Sequence, residues 1–358
     1  MMVYEITSST SSCSSSQQDF IFDSLDANKQ AFIECIKVIE ANIEDIIINK
    51  ANEKEKKWWI DGNYKFIDEN RLPLILMENV TYDEFEKKCE KATASKFWEY
   101  RDKNVIIIEL PKGDYEVAHR EFIRQFIRQD PQDIVRDIGS KRFKGSKGSS
   151  KQADVSLVPK YLPNLPKYLS DSEGNTWPTI ICETASTQSL KSIIQKTTKF
   201  WLAPNRVEDI IIFKLWPSKL GRNQNRNLLR RLTCYKFCRR TSPKDVCGNY
   251  QPIQVIEFGT INSDGNPYYG CSTLGSCTLS ISPHCIYKGC TYPYPLTDDV
   301  VIDLFSIQQE IFAVMKKDVI RKDIIRKVVI RKDVIRKDVM KKNVMKKGVM
   351  KKRFIKKK

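Results

Sequence analysis

Apolar positions in this chain recur with two different periods, and the switching between them lays out its central part. In residues 20–57, Phe32, Ile36, Ile39, Ile43, Ile46 and Ile47 fall three and four apart with charged residues between them. That spacing predicts an amphipathic helix, which would dock on the main domain or pair with a second chain. From residue 72 to 216, helix and strand signals alternate. Asn79-Val80-Thr81-Tyr82-Asp83-Glu84-Phe85 offers a polar cap followed by acids, so a helix starts there. A β-branched run over 105–110, ended by Pro111, predicts a strand. Residues 115–129 have helical spacing, and 137–150 reads as a Gly/Ser/Lys loop. Strands follow at 153–158 and 179–182, then a helix over 188–202 and a strand over 209–215. This order predicts an α/β (α+β) layer architecture with one central mixed sheet flanked by helices.

The flanks differ in character. Residues 1–19 are rich in Ser, Thr and Gln and are expected to be disordered. They precede a helical extension over 20–70, and the main domain spans 71–216. Residues 217–315 form a Cys/Tyr-rich extension of short strands and loops, with turn signals such as Asp264-Gly265-Asn266-Pro267 and a closing helix over 300–315. The tail, 316–358, repeats a five-residue unit, Lys-Lys-Asp-Val-Ile and its variants. Five residues turn a helix by about 140°, and an odd period flips the face of a strand at each repeat. Neither structure gains a continuous apolar stripe. The tail is expected to be solvated; non-specific polyanion binding or a nuclear address are its alternative uses.

Charge is concentrated in that tail. The chain carries 61 Lys and Arg against 44 Asp and Glu, a formal +17. From Lys316 onward there are twenty basic residues and four aspartates, which leaves 41 basic and 40 acidic groups in the body. An electrostatic argument for nucleic acid therefore rests on the tail. No stretch reaches the ~18 uninterrupted apolar residues of a membrane helix. The N-terminus lacks a basic region followed by an apolar block, so an intracellular protein, cytoplasmic or nuclear, is expected, with no membrane partner.

Candidate chemistry gathers at two strand ends. In Lys151-Gln152-Ala153-Asp154-Val155-Ser156-Leu157-Val158, an acid stands at the entry of a short apolar strand. In Thr179-Ile180-Ile181-Cys182-Glu183-Thr184-Ala185-Ser186, another stands at the exit of one. Two neighbouring strands so arranged can set Asp154 and Glu183 around one hard cation, Mg²⁺ or Mn²⁺. A lysine from the next helix could orient water or neutralise developing phosphorane charge. On a wheel of 100° per residue, Leu190, Ile193, Ile194, Thr197 and Trp201 form the buried stripe. Lys196 and Lys191 fall on its edges, Lys196 being preferred, and Lys199 lies opposite. On the earlier helix, Phe122, Ile123 and Phe126 define the buried face. Glu116 at its edge is a candidate third metal acid, Glu121 points away, and His119 reads as a core histidine.

Several of these motifs together resemble a known family. Val80-Thr81-Tyr82-Asp83-Glu84-Phe85, Trp98-Glu99-Tyr100, Tyr115-Glu116-Val117-Ala118, Ala153-Asp154-Val155-Ser156, Cys182-Glu183, Trp201-Leu202 and Ile210-Ile211-Ile212-Phe213 follow one another as in Uma2-like restriction-endonuclease domains of the PD-(D/E)XK superfamily, including its fungal lineage-expanded versions. The resemblance implies a restriction-endonuclease-like fold and metal-dependent phosphodiester hydrolysis, with Asp154 and Glu183 as ligands and a lysine as third partner. Ala153 replaces the motif's proline, and Tyr115 stands where many relatives have histidine. Thr184 and Ala185 follow Glu183, so the E-x-K lysine is absent and Lys196 must serve. The expected activity is a Mg²⁺-dependent endonuclease acting on DNA. The alternative is a catalytically inactive nuclease-fold protein that binds nucleic acid or another protein.

Seven of the eleven cysteines lie between Cys234 and Cys290. Without a secretory signal, such clustering points to metal binding or reduced thiols rather than a disulfide framework. The two close pairs, Cys234 with Cys238 and Cys285 with Cys290, are candidate zinc ligands, though neither is a CxxC. Buried thiols acting as small apolar residues are the preferred reading, and a zinc-stabilised scaffold with no nucleic-acid role is a third function class.

Overall fold

A computed structural model describes residues 48–130, 132–145, 150–160, 170–204 and 206–317. The expectations for residues 1–19, for most of the 20–57 helix and for nearly all of the repeat tail fall outside these residues. Where the end of that helix is described, Asn49–Lys50 forms a short strand, β1, instead.

A four-stranded sheet opens the described chain, in the order β1, β2 (Leu74–Met77), β4 (Asn104–Ile107), β3 (Trp98–Arg101). The short helix α1 (Lys57–Asp61) and α2 (Tyr82–Lys91) accompany it. The cap of α2 is Thr81, whose hydroxyl accepts the Glu84 backbone N–H while the Glu84 carboxylate accepts that of Thr81. This reciprocal box satisfies two otherwise orphaned donors. Trp58, Leu74, Phe85, Trp98, Ile107 and Tyr115 form one core.

The central sheet has six strands in the order β12-β11-β10-β9-β8-β5. They are β5 (Val135–Asp137), β8 (Val155–Pro159), β9 (Ile180–Ala185), β10 (Asp209–Arg222), β11 (Leu228–Cys238) and β12 (Gln254–Glu257). Only β9 and β10 run parallel; every other neighbouring pair in it is antiparallel. The parallel pair needs a crossover, supplied by α4 (Leu190–Lys196) and the π-helical turn Thr197–Trp201 that continues it. Helices flank this mixed sheet, an arrangement consistent with a restriction-endonuclease-like α+β fold. The boundary expected at residue 216 falls inside β10, and β11 and β12 complete the same sheet. The segment 137–150, expected as a loop, contributes to a hairpin of β6 (Arg142–Lys144) and β7 (Ser150–Gln152), with Phe143 fully buried.

Strand alternation sorts the core into two layers. Ile180, Cys182, Ile211 and Phe213 face α3 (Gly113–Arg128), the antiparallel pair β13 (Thr278–Ile281) and β14 (Val300–Asp303), and a helix over 304–317. The helix expected from residue 300 therefore begins one strand later. Ile181, Ala185, Ile210 and Ile212 face Ile193, Phe200 and Trp201 on the other side. Glu183, two residues from both Ile181 and Ala185, belongs to that second face.

Candidate metal centre

Register decides what meets Glu183. Val155 pairs with Cys182 across the antiparallel β8–β9 ladder, so the next residue back, Asp154, comes level with Glu183. The crossover helix packs on the same face and delivers Lys196 and Trp201. Asp154, Glu183 and Lys196 are 7%, 3% and 8% exposed, which makes this a buried cluster.

Each carboxylate is held by named donors. Asp154 accepts the Tyr115 hydroxyl on Oδ1 and the Thr184 backbone N–H on Oδ2, the latter at 2.7 Å. Glu183 Oε1 accepts the Trp201 indole N–H at 2.8 Å. The Lys196 ammonium lies 2.8 Å from Oε1 and 2.9 Å from Oε2, and donates to the Gln152 carbonyl at 2.9 Å. Burial pushes the Glu183 carboxyl up to about 7, with the Asp154 charge adding to the rise and Lys196 opposing it. Tyr115 is driven well above its ordinary range by burial and then by Asp154, so it stays a donor. Both Asp154 oxygens and Glu183 Oε2 meet one partner each and keep a second lone pair, whereas Glu183 Oε1 already meets two. An acid pair with waters and phosphate oxygens suits a small hard cation.

A second ion pair borders this one. Lys151 donates to Glu99 at 2.7 Å, and Arg101 reaches the other oxygen at 3.0 Å. Burial works against ionisation of Glu99, but Lys151 and Arg101 outweigh it and its pKa is lowered. Lys151 is lowered by burial, and the Lys196 charge adds to that.

Glu116 is not brought into contact with Asp154 or Glu183. Its carboxylate lies 2.9 Å from Lys96 and 3.5 Å from His119 Nε2, and the His119 hydrogen bond, with Lys96 behind it, pulls it down to about 2. The helical wheel gave its face but not the lysine that occupies it. Glu121, expected to point away, is buried at 4% exposure against Arg124 and Gln125. Lys191 is half-exposed in the first turn of α4, and Lys199 is exposed.

Sequence reasoning missed Glu109, an acid inside an apolar run. Its carboxylate accepts the backbone N–H groups of Ser186, Thr187 and Gln188 at 2.7 to 3.0 Å. It thereby fixes the turn that leaves β9 just past Glu183. Lys214 braces that turn from β10, donating to the Ser186 and Gln188 carbonyls at 2.9 and 2.6 Å.

The four cysteines proposed for zinc do not converge. Cys234 and Cys238 are four residues apart on β11, which is about 13 Å along a strand. Cys290 is half-buried in the turn after α5 (Pro283–Ile286). Cys238 and Cys285 alone of the four meet, with sulfurs 3.9 Å apart. Eight of the nine cysteines among the described residues are free thiols; Cys247 is disulfide-bonded, against the expectation of reduced thiols.

No helix among the described residues is long and apolar enough to cross a membrane. No family model matches the chain, and no curated protein matches it. Among solved structures, that of a candidate nuclease belonging to DUF820 from Anabaena variabilis aligns at 18% identity, over 50% of this chain and 84% of that one, with a TM-score of 0.31.

Proposed function

We propose that the chain is a divalent-metal-dependent nuclease in which Asp154 and Glu183 hold Mg²⁺ or Mn²⁺ and Lys196 is the catalytic cation. One observation carries this reading: an acid at the entry of β8, an acid of the neighbouring β9 and one lysine from the crossover helix gather on one face of the sheet. The metal would polarise a phosphodiester oxygen and supply an activated water. Lys196, released from one Glu183 oxygen, would orient that water or neutralise phosphorane charge. Tyr115 would hold Asp154 in its rotamer. DNA is the proposed substrate. The test is nicking of supercoiled plasmid by the full chain with Mg²⁺ or Mn²⁺, beside Asp154→Ala. Metal-dependent nicking abolished by the substitution supports the reading; nicking that survives it counts against it.

A second reading, a catalytically inactive nuclease fold that binds nucleic acid or protein, has its own observation. Every carboxylate oxygen of the pair already has a donor or cation partner, and all three side chains are buried. Plasmid binding without cleavage, unchanged by Asp154→Ala, would favour it.

A further inference from the structure

On the opposite face of the central sheet, Asp209, Cys238 and Cys285 gather where no sequence spacing announced a site. Asp209 opens β10 and pairs directly with Cys238 at the end of β11. Cross-strand partners of an antiparallel ladder project to the same side, here the side of Ile211 and Phe213. Cys285 arrives on α5. One potential ligand atom from each residue lies within 4.8 Å of the other two. The three are 0%, 3% and 5% exposed.

We propose that Asp209, Cys238 and Cys285 form a three-ligand zinc site that pins α5 to the β10–β11 ladder. Three observations support it. First, the Asp209 carboxylate is fully buried and takes no backbone N–H; what faces it is the Lys236 ammonium at 3.3 Å and the two thiols. A buried carboxylate is costly unless ionic partners hold it. Second, the sulfurs are 3.9 Å apart. A tetrahedral ion with Zn–S of ~2.3 Å needs ~3.8 Å between two sulfurs, whereas a disulfide needs ~2.05 Å. Third, the charges close. Two thiolates and one carboxylate against a dication leave one negative charge; Lys236 Nζ stands 3.3 Å from Asp209 Oδ2 to balance it, and Arg240, 3.6 Å from the Cys285 sulfur, is itself paired with Glu208. Lys236 is anchored independently on the Ser280 carbonyl at 2.6 Å. Thiolates select zinc over the hard cation proposed for the Asp154 site. Water would complete the tetrahedron, and the thiol protons are released to solvent on binding.

The cluster lies on the other face from Glu183, which pairs with Ile212, so the proposal is independent of the nuclease reading. The test is zinc content of the full chain, purified under reducing conditions and dialysed against zinc-buffered solution. About one zinc per chain is expected in the wild type and in Cys234→Ser and Cys290→Ser, and loss of it in Cys238→Ser and Cys285→Ser. Because those two variants could fold poorly, Co²⁺ is added to the metal-free wild type, where sulfur-to-cobalt charge-transfer absorption is expected. A wild type with intact thiols and neither zinc nor that absorption would overturn the proposal. So would zinc retained in Cys285→Ser, or a Cys238–Cys285 disulfide in protein never exposed to oxidant.

Discussion

Replacing Lys196 by methionine isolates what holds the candidate metal centre together. The ammonium loses two Glu183 contacts at 2.8 and 2.9 Å and the Gln152 carbonyl, and Glu183 keeps only the Trp201 indole. Breaking a buried pair from one side costs about 3–5 kcal/mol, mostly because the remaining charge stays desolvated. The melting temperature should fall on the order of 10 °C. Glu183→Gln strands the lysine instead and should cost a similar amount. The double variant removes both charges, and the coupling recovered should be about 1.5–3 kcal/mol. Urea denaturation of the four proteins gives the cycle directly. Strictly additive losses would refute the geometry, because residues not in contact show no coupling.

Two further perturbations probe the turn behind the site. Burial lowers Lys214 to about 8, below its unfolded value of 10.5. A depressed pKa gives stability that is whole above the unfolded value and lost as pH falls through the folded one. Between pH 8 and 10, wild-type unfolding free energy should therefore rise with pH more steeply than that of Lys214→Met, by on the order of 3 kcal/mol at most; equal slopes would contradict it. Glu109→Gln weakens charge-assisted bonds from Ser186, Thr187 and Gln188. It should cost about 2–3 kcal/mol in denaturant and speed amide exchange at those three residues, whereas unchanged exchange would count against the cap.

Legibility in the sequence followed how local each cause was. Thr81 and Glu84 cap each other, so the start of α2 could be read within a few residues. Ile180–Cys182 and Ile210–Phe213 are buried on both faces, which leaves unbroken apolar runs. Glu183 stood out because it interrupts such a run. By contrast, β11 contains Arg230 and Lys236, which look like surface positions. Asp114 and Asp209 neutralise them in the interior. Those partners lie far away in sequence, so the eleven-residue strand was not recognised. Glu116 failed for the same reason: a wheel gives its direction, while Lys96 comes from another element. The turns were only half read. Asp171–Asn175, Asp245–Asn249 and Asn262–Asn266 share one device, an Asx side chain accepting backbone N–H groups and a glycine at positive φ in the fourth position. Only the last was marked by its Asp-Gly signal.

Asp154 and Glu183 are proposed to hold one hard cation between them. Titration of Mn²⁺ into the metal-free full chain, followed by the paramagnetic resonance signal of the free ion, measures this without requiring turnover. One tight ion per chain in the wild type, lost in both Asp154→Asn and Glu183→Gln, is the expected result. No tight ion in the wild type, or the same ion in either variant, would contradict the account.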